Sequence, residues 1–191
     1  HIDGRWIILT DFQAPNFQVM QVAHADIGDK SQWQPLVAHD EAVFIHGFEL
    51  FTDYLVLNER REGLRQIRVV PWTDPAQSYV VNADEASYVM TFETNVEQGT
   101  DILRYNYTSL VTPTVTYAMN MATQEREILK ATEVPNYDAS LYATARTWAT
   151  ADDGTQVPVS LLFKKDFKQD GTAPLYQYAY GSYGSTSEPW F

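Results

Sequence analysis

The sequence contains no cysteine, which excludes a disulfide framework, a thiolate nucleophile and any cysteine-ligated metal. That absence suits a reducing compartment. No uninterrupted apolar run approaches the roughly 18 residues that a membrane-crossing helix needs. The opening HIDGRWIILTDF has no basic segment leading into a long apolar stretch, so it does not read as a signal peptide. Positive charge is scarce, with 13 Lys and Arg against 25 Asp and Glu and a formal net charge of −12. Such a surface argues against nucleic acid as a partner, because phosphates need a basic face. It favours cationic partners through long-range steering. Three catalytic signatures are missing as well: H-E-x-x-H, a Gly-Lys-Ser/Thr phosphate loop and a G-x-S-x-G nucleophile elbow.

Aromatic residues make up 14% of the chain, including twelve Tyr and five Trp, a bias towards strands. Apolar and polar residues alternate along most of it, and helical periodicity is scarce. Trp6 to Thr10, Tyr54 to Asn58 and Ile102 to Asn106 open similar segments spaced 48 residues apart. Each is followed by a turn-prone break and a second strand: Phe17 to Val22, Leu64 to Val70, Pro113 to Met119. A third follows at Trp33 to Ala38, Gln77 to Val81 and Glu125 to Leu129, and further extended segments lie between the units at Ala42 to Phe51 and Ser87 to Thr94. Four short strands in a unit of about 40–50 residues is the period of a propeller blade. A sandwich of short strands is the competing architecture. About three blades cannot close a ring of at least four, so the repeats belong to a larger ring or assemble with other copies.

From Val134-Pro135-Asn136-Tyr137-Asp138 the character changes to that of a linker. Arg146 to Ala151 and Val157 to Phe163 flank Asp152-Asp153-Gly154, a strong hairpin signal. Lys164 to Gly171 is a charged connection, and Pro174 introduces a Tyr-rich apolar strand, Leu175 to Tyr180, ahead of the small-residue loop Gly181 to Ser185. Tyr176, Tyr178 and Tyr180 would share one strand face. That suits packing, although a phenol at a strand's carboxyl end can also donate to a developing oxyanion. His39, Asp40, Glu41 and His46 invite a metal reading, but strand alternation spreads them over different faces. Arg60-Arg61 and Lys164-Lys165 read as solvated loop ends, and Asn106-Tyr107-Thr108 matches a glycosylation acceptor without a secretory context.

Several segments together resemble the prolyl oligopeptidase family of serine peptidases, its oligopeptidase B branch in particular. Trp148 to Ala151, Asp153-Gly154, Val157 to Leu161 and Tyr178-Ala179-Tyr180-Gly181-Ser182-Tyr183-Gly184 are similar to the start of the peptidase domain. Gly47 to Phe51 with Asp53 to Val56 is similar to a late propeller segment, and Leu129-Lys130 with Glu133 to Pro135 to the crossing between domains. The resemblance implies a mainly β chain: a partial β-propeller of about three four-stranded blades over residues 1–133. A linker and the first strands of an α/β-hydrolase domain then follow over 134–191. It implies a Ser/His/Asp enzyme without metal or cofactor, located in the cytosol, cleaving short basic peptides after Arg or Lys while the propeller gates their size. The triad is expected beyond Phe191, so the chain alone is expected to be inactive and, with open strand edges, to self-associate.

The same resemblance implies roles for three residues. Tyr180 matches the second tyrosine of the family's Y-x-Y-G motif, which donates its hydroxyl to the oxyanion, with Ala179 where relatives often carry Gly. Glu188 matches the first of an acidic pair that binds a second basic side chain of the substrate, and Trp190 stands where the second acid would be. Two other readings stay open: a non-catalytic propeller-type binding module with an added hairpin, and a family peptidase of different specificity.

Overall fold

The computed structural model describes residues 1–191, which form thirteen strands. The first three, β1 (Arg5–Thr10), β2 (Gln18–Ala23) and β3 (Gln34–Val37), make an antiparallel meander. The second meander is β4 (Val43–Leu50), β5 (Tyr54–Arg61), β6 (Leu64–Pro71) and the short β7 (Tyr79–Val80). The third is β8 (Val89–Phe92), β9 (Ile102–Thr108), β10 (Val115–Asn120) and β11 (Arg126–Ala131). These are three consecutive blades; the second and third touch through one parallel bridge, Arg65 to Val89. The repeat therefore marks the second strand of the second and third blades, β5 and β9, whose first strands β4 and β8 come from the segments between the units, and the first strand, β1, of the first blade. The first blade has three strands where the repeat implied four.

The blades stack face to face, and strand alternation decides which side chain goes where. In β5, Leu55 and Leu57 point to the first blade, where they join Ile7, Val19, Val43, Ile45 and Val70 in one apolar cluster. Val56, on the opposite face, joins Ile67, Val69, Met90, Leu103, Tyr105 and Met119 between the second and third blades. A strand buried on both faces needs apolar residues at successive positions, which is why Leu55-Val56-Leu57 is unbroken. Full burial of each such side chain contributes about 1.5–3 kcal/mol. Every residue of β11 is exposed, so this edge strand carries no comparable burial.

β5 and β6 are joined by Glu62-Gly63, both at positive φ (52° and 79°), the two-residue turn whose twist matches the strands it connects. Gly63 is required for a second reason. A Cβ there would sit 2.7 Å from Pro158 Cγ, because the hairpin of β12 (Tyr142–Thr150) and β13 (Gln156–Lys164) packs against this turn. Ser87 Oγ donates to Ser160 Oγ at 3.0 Å, a second point of contact between that hairpin and the blades.

Leu175 to Tyr180 does not form a strand. No other strand lies beside it to accept its backbone hydrogen bonds, and a lone extended segment cannot satisfy them internally. Its tyrosines do not pack either: Tyr176, Tyr178 and Tyr180 are all exposed. Asn106 sits inside β9 with its amide engaged by Glu93 and Thr116, which leaves no free acceptor for a glycan.

Candidate functional site

The second blade presents one end of β4, β5 and β6 to the C-terminal segment. His46 is placed there by a bulge. Ile45 pairs with Glu59 and Gly47 with Asn58, so His46 is the extra residue of β4. A bulge reverses the alternation beyond it and re-aims the side chain it inserts. His46 stacks at a tilt on Phe44 (4.8 Å between centroids), and Phe44 meets Phe17 edge-on at 5.4 Å. The Arg60 guanidinium lies 5.7 Å from the Phe44 ring centre.

Arg60 is not a solvated loop end. Its side chain is 16% exposed, and Nη2 donates to Glu188 Oε1 at 2.6 Å. Arg61, by contrast, pairs with Asp40 at 3.0 Å in the open. Arg65 Nη1 lies 4.0 Å from Glu188 Oε2. It is held from behind, because its Nε donates to Asn58 Oδ1 at 2.7 Å. Asn58 is itself buried, and its amide donates to the carbonyls of Gln66 (3.1 Å) and Met90 (2.9 Å), tying β5 to β6 and to the third blade. Two arginines thus converge on a carboxylate that is 7% exposed. Burial, then the charges of Arg65 and Arg60, lower the pKa of His46 from its ordinary value to about 4, with Glu188 opposing them. The imidazole is neutral at pH 7, and its Nε2 has no hydrogen-bond partner. Burial and the neighbouring Arg60 also lower the Arg65 pKa, again against Glu188.

The three residues singled out in the sequence lie on the same C-terminal segment in unlike settings. Tyr180 is 51% exposed; its N–H donates to Ser187 Oγ at 2.8 Å, and that hydroxyl reaches back to the Tyr180 carbonyl at 3.3 Å. Glu188 is buried against Arg60, with Oε2 lacking a hydrogen-bond partner. Trp190 is 48% exposed, and its N–H donates to the Glu188 carbonyl at 2.9 Å. The following residue, Phe191, packs edge-on against Tyr137 at 5.0 Å, whose hydroxyl donates to the Val111 carbonyl at 2.6 Å. Sequence reading missed Arg65 and Asn58, weighed His46 only as a metal ligand, and took Arg60 for a solvated loop end. The only local signal was the polar run Asn58 to Arg61 at the end of an otherwise apolar strand.

Chemically, this junction offers a cationic pair, one carboxylate anchored to it and a neutral imidazole, with an unengaged phenol on the adjoining loop. It contains no serine bonded to a histidine, so the arrangement can orient and stabilise charge but holds no activated nucleophile.

Comparison with known proteins accounts for the whole chain. Residues 1–132 match the profile described as prolyl oligopeptidase, N-terminal beta-propeller domain. The chain is 47% identical to dipeptidyl aminopeptidase BI of Pseudoxanthomonas mexicana over its full length, covering 26% of that protein. It is 32% identical to Protease 2 of Moraxella lacunata, covering 27% of it. Among solved structures it superposes over its whole length on oligopeptidase B from Trypanosoma brucei in the closed form with covalently bound antipain, with a TM-score of 0.85 and 30% identity. The Leishmania major oligopeptidase B gives 0.85 and 29%. In each case the chain spans about a quarter of the relative's length.

Proposed function

Because the chain belongs to the prolyl oligopeptidase family, we propose that it is the late propeller and first peptidase-domain segment of a serine oligopeptidase that cleaves short peptides after Arg or Lys. The observation that carries this is the unbroken match to oligopeptidase B from the first blade through the Tyr180 loop, at 30% identity. In this reading the blades restrict access by size, and the Ser/His/Asp triad lies in the remaining three quarters of the enzyme. The 191 residues by themselves are catalytically silent.

Within the chain, Tyr180 is the group that acts on the reaction. Its side chain is 51% exposed, and its hydroxyl makes no internal hydrogen bond, so it can donate to a developing oxyanion. Of the two residues the resemblance assigns to substrate, Trp190 is the one left open to a second basic side chain, by cation–π attraction; the Glu188 carboxylate is engaged by Arg60. Fixed acidic charge over the surface steers basic peptides inward.

The test is Tyr180→Phe in the full-length enzyme. Loss of one oxyanion donor costs about 2.7–4 kcal/mol, or roughly two to three decades in kcat, with KM little changed. A kcat equal to that of the parent would refute the role, since Phe preserves the ring.

A second reading follows from the 47% identity to dipeptidyl aminopeptidase BI, a name that describes release of dipeptides from an amino end. Full-length enzyme assayed side by side on N-blocked Arg and Lys reporters and on free-amine dipeptidyl reporters separates the two. Cleavage confined to the free-amine reporters would replace the endopeptidase reading.

A further inference from the structure

We propose that Glu188 and Ser187 are positioning residues, which clamp the Tyr180 loop onto the second blade through Arg60 and Arg65. The inference rests on the oxyanion role given to Tyr180 above and assigns the device that holds that tyrosine in place.

The chain of contacts is short and continuous. Arg60 and Arg65 leave opposite ends of the Glu62-Gly63 turn, one on β5 and one on β6, paired directly across the ladder. The tight turn sets the two arginines side by side, and the Asn58 hydrogen bond to Arg65 Nε holds that guanidinium in place. Their heads meet at Glu188, where Arg60 makes a 2.6 Å charge-assisted bond in a setting shielded from water. Bonds of that kind are about twice as strong as neutral ones. The preceding residue, Ser187, closes a ring on the Tyr180 backbone by donating to its carbonyl and accepting from its N–H. Buried Pro189 follows Glu188 and restricts its backbone to extended conformations.

Position 180 needs such support. The residues around it form no strand, Tyr183 and Gly184 turn through positive φ, and the tyrosine side chains stand in solvent. Nothing in the loop itself fixes Tyr180, so its precision comes from the clamp. The clamp also joins the two halves of the chain: Arg60 and Glu188 are separated by 128 residues. A displacement of the second blade relative to the C-terminal segment is therefore transmitted to the Tyr180 backbone through Ser187, the residue next to Glu188.

Two measurements test this independently of each other. In the 191-residue chain, amide hydrogen exchange is followed at Tyr180 and Trp190 for Glu188→Gln, Arg60→Met, the double variant and Ser187→Ala, with circular dichroism confirming the β fold of each. Each single change is expected to speed exchange at Tyr180 by about tenfold, the effect of losing one charge-assisted or paired hydrogen bond. The double variant is expected to be no faster than either ion-pair single. Ser187→Ala is expected to free Tyr180 while leaving exchange at Trp190 slow. Unchanged exchange in the singles, or simple additivity in the double, overturns the clamp whatever the enzyme does.

In the full-length enzyme, Glu188→Gln is expected to lower kcat about tenfold with KM nearly constant, and to cause no further loss once Tyr180 is Phe. A loss in kcat that persists undiminished in the Tyr180→Phe background overturns the positioning role. Should Tyr180→Phe itself leave kcat intact, the oxyanion reading fails, and the exchange data alone decide whether the clamp exists.

Discussion

Glu59 carries the sharpest stability prediction. It lies on β5 with a side chain 2% exposed, directly across the ladder from Gln66 and diagonal to Arg68. Gln66 Nε2 donates to Oε1 at 2.9 Å, while Arg68 Nε and Nη2 both sit 3.0 Å from Oε2. Replacing Arg68 by Met keeps the apolar stem and removes the charge, leaving a buried carboxylate with only a neutral amide. Breaking a buried pair in this way typically costs 3–5 kcal/mol. Arg68 is 27% exposed, so water compensates part of that, and about 2–4 kcal/mol remains. With a urea slope of about 2 kcal/mol per molar, the unfolding midpoint should fall by about 1–2 M. Tryptophan fluorescence during a urea titration reads this directly. The double variant Glu59→Leu/Arg68→Met should recover at least half of the loss, because an apolar pair of similar volume has no desolvation penalty to offset. A double variant as unstable as the sum of the singles would show that the pair is not coupled and the reasoning is wrong.

Other expectations concern pH, specificity and assembly. The His46 pKa, lowered to about 4, lies below that of the unfolded chain, so the unfolded state takes up the proton first. The contribution is fully present above about pH 6.5 and is lost as pH falls towards 4, by about 1–2 kcal/mol after discounting for solvent screening of a half-buried ring. His46→Gln should flatten the stability profile across that window, and an unaltered profile would count against it. Trp190→Asp in the full-length enzyme should raise kcat/KM for Arg-Arg over Ala-Arg substrates by about two- to fivefold at low salt, and high salt should erode the gain; an unmoved ratio would remove Trp190 from the substrate path. The 191-residue chain is expected to self-associate through β11, whose Ile128 and Leu129 are 60% and 48% exposed on an unpaired edge. Sedimentation velocity showing a monomer at every concentration would contradict this.

Local chemistry determines much of the architecture. Period-two alternation placed the blade strands, and the 48-residue recurrence of Tyr54 and Ile102 marked equivalent positions in the second and third blades. Asp152-Asp153-Gly154 located the β12–β13 hairpin, because Gly154 adopts positive φ (88°) there at no steric cost. The family was legible in the Tyr178 to Gly184 motif for the same reason: it is contiguous. What the sequence could not reveal depends on groups far apart in the chain. Arg60-Arg61 looked like a solvated pair, yet one guanidinium is buried against Glu188 and its neighbour stays in the open with Asp40. Alternation gave no sign of the bulge at His46, which adds one residue to β4 and shifts the phase beyond it. Leu175 to Tyr180 had the composition of a strand but found no neighbour to pair with. Strand character is a property of a few adjacent residues; burial, ion pairing and ladder partners are properties of what the folded chain brings beside them.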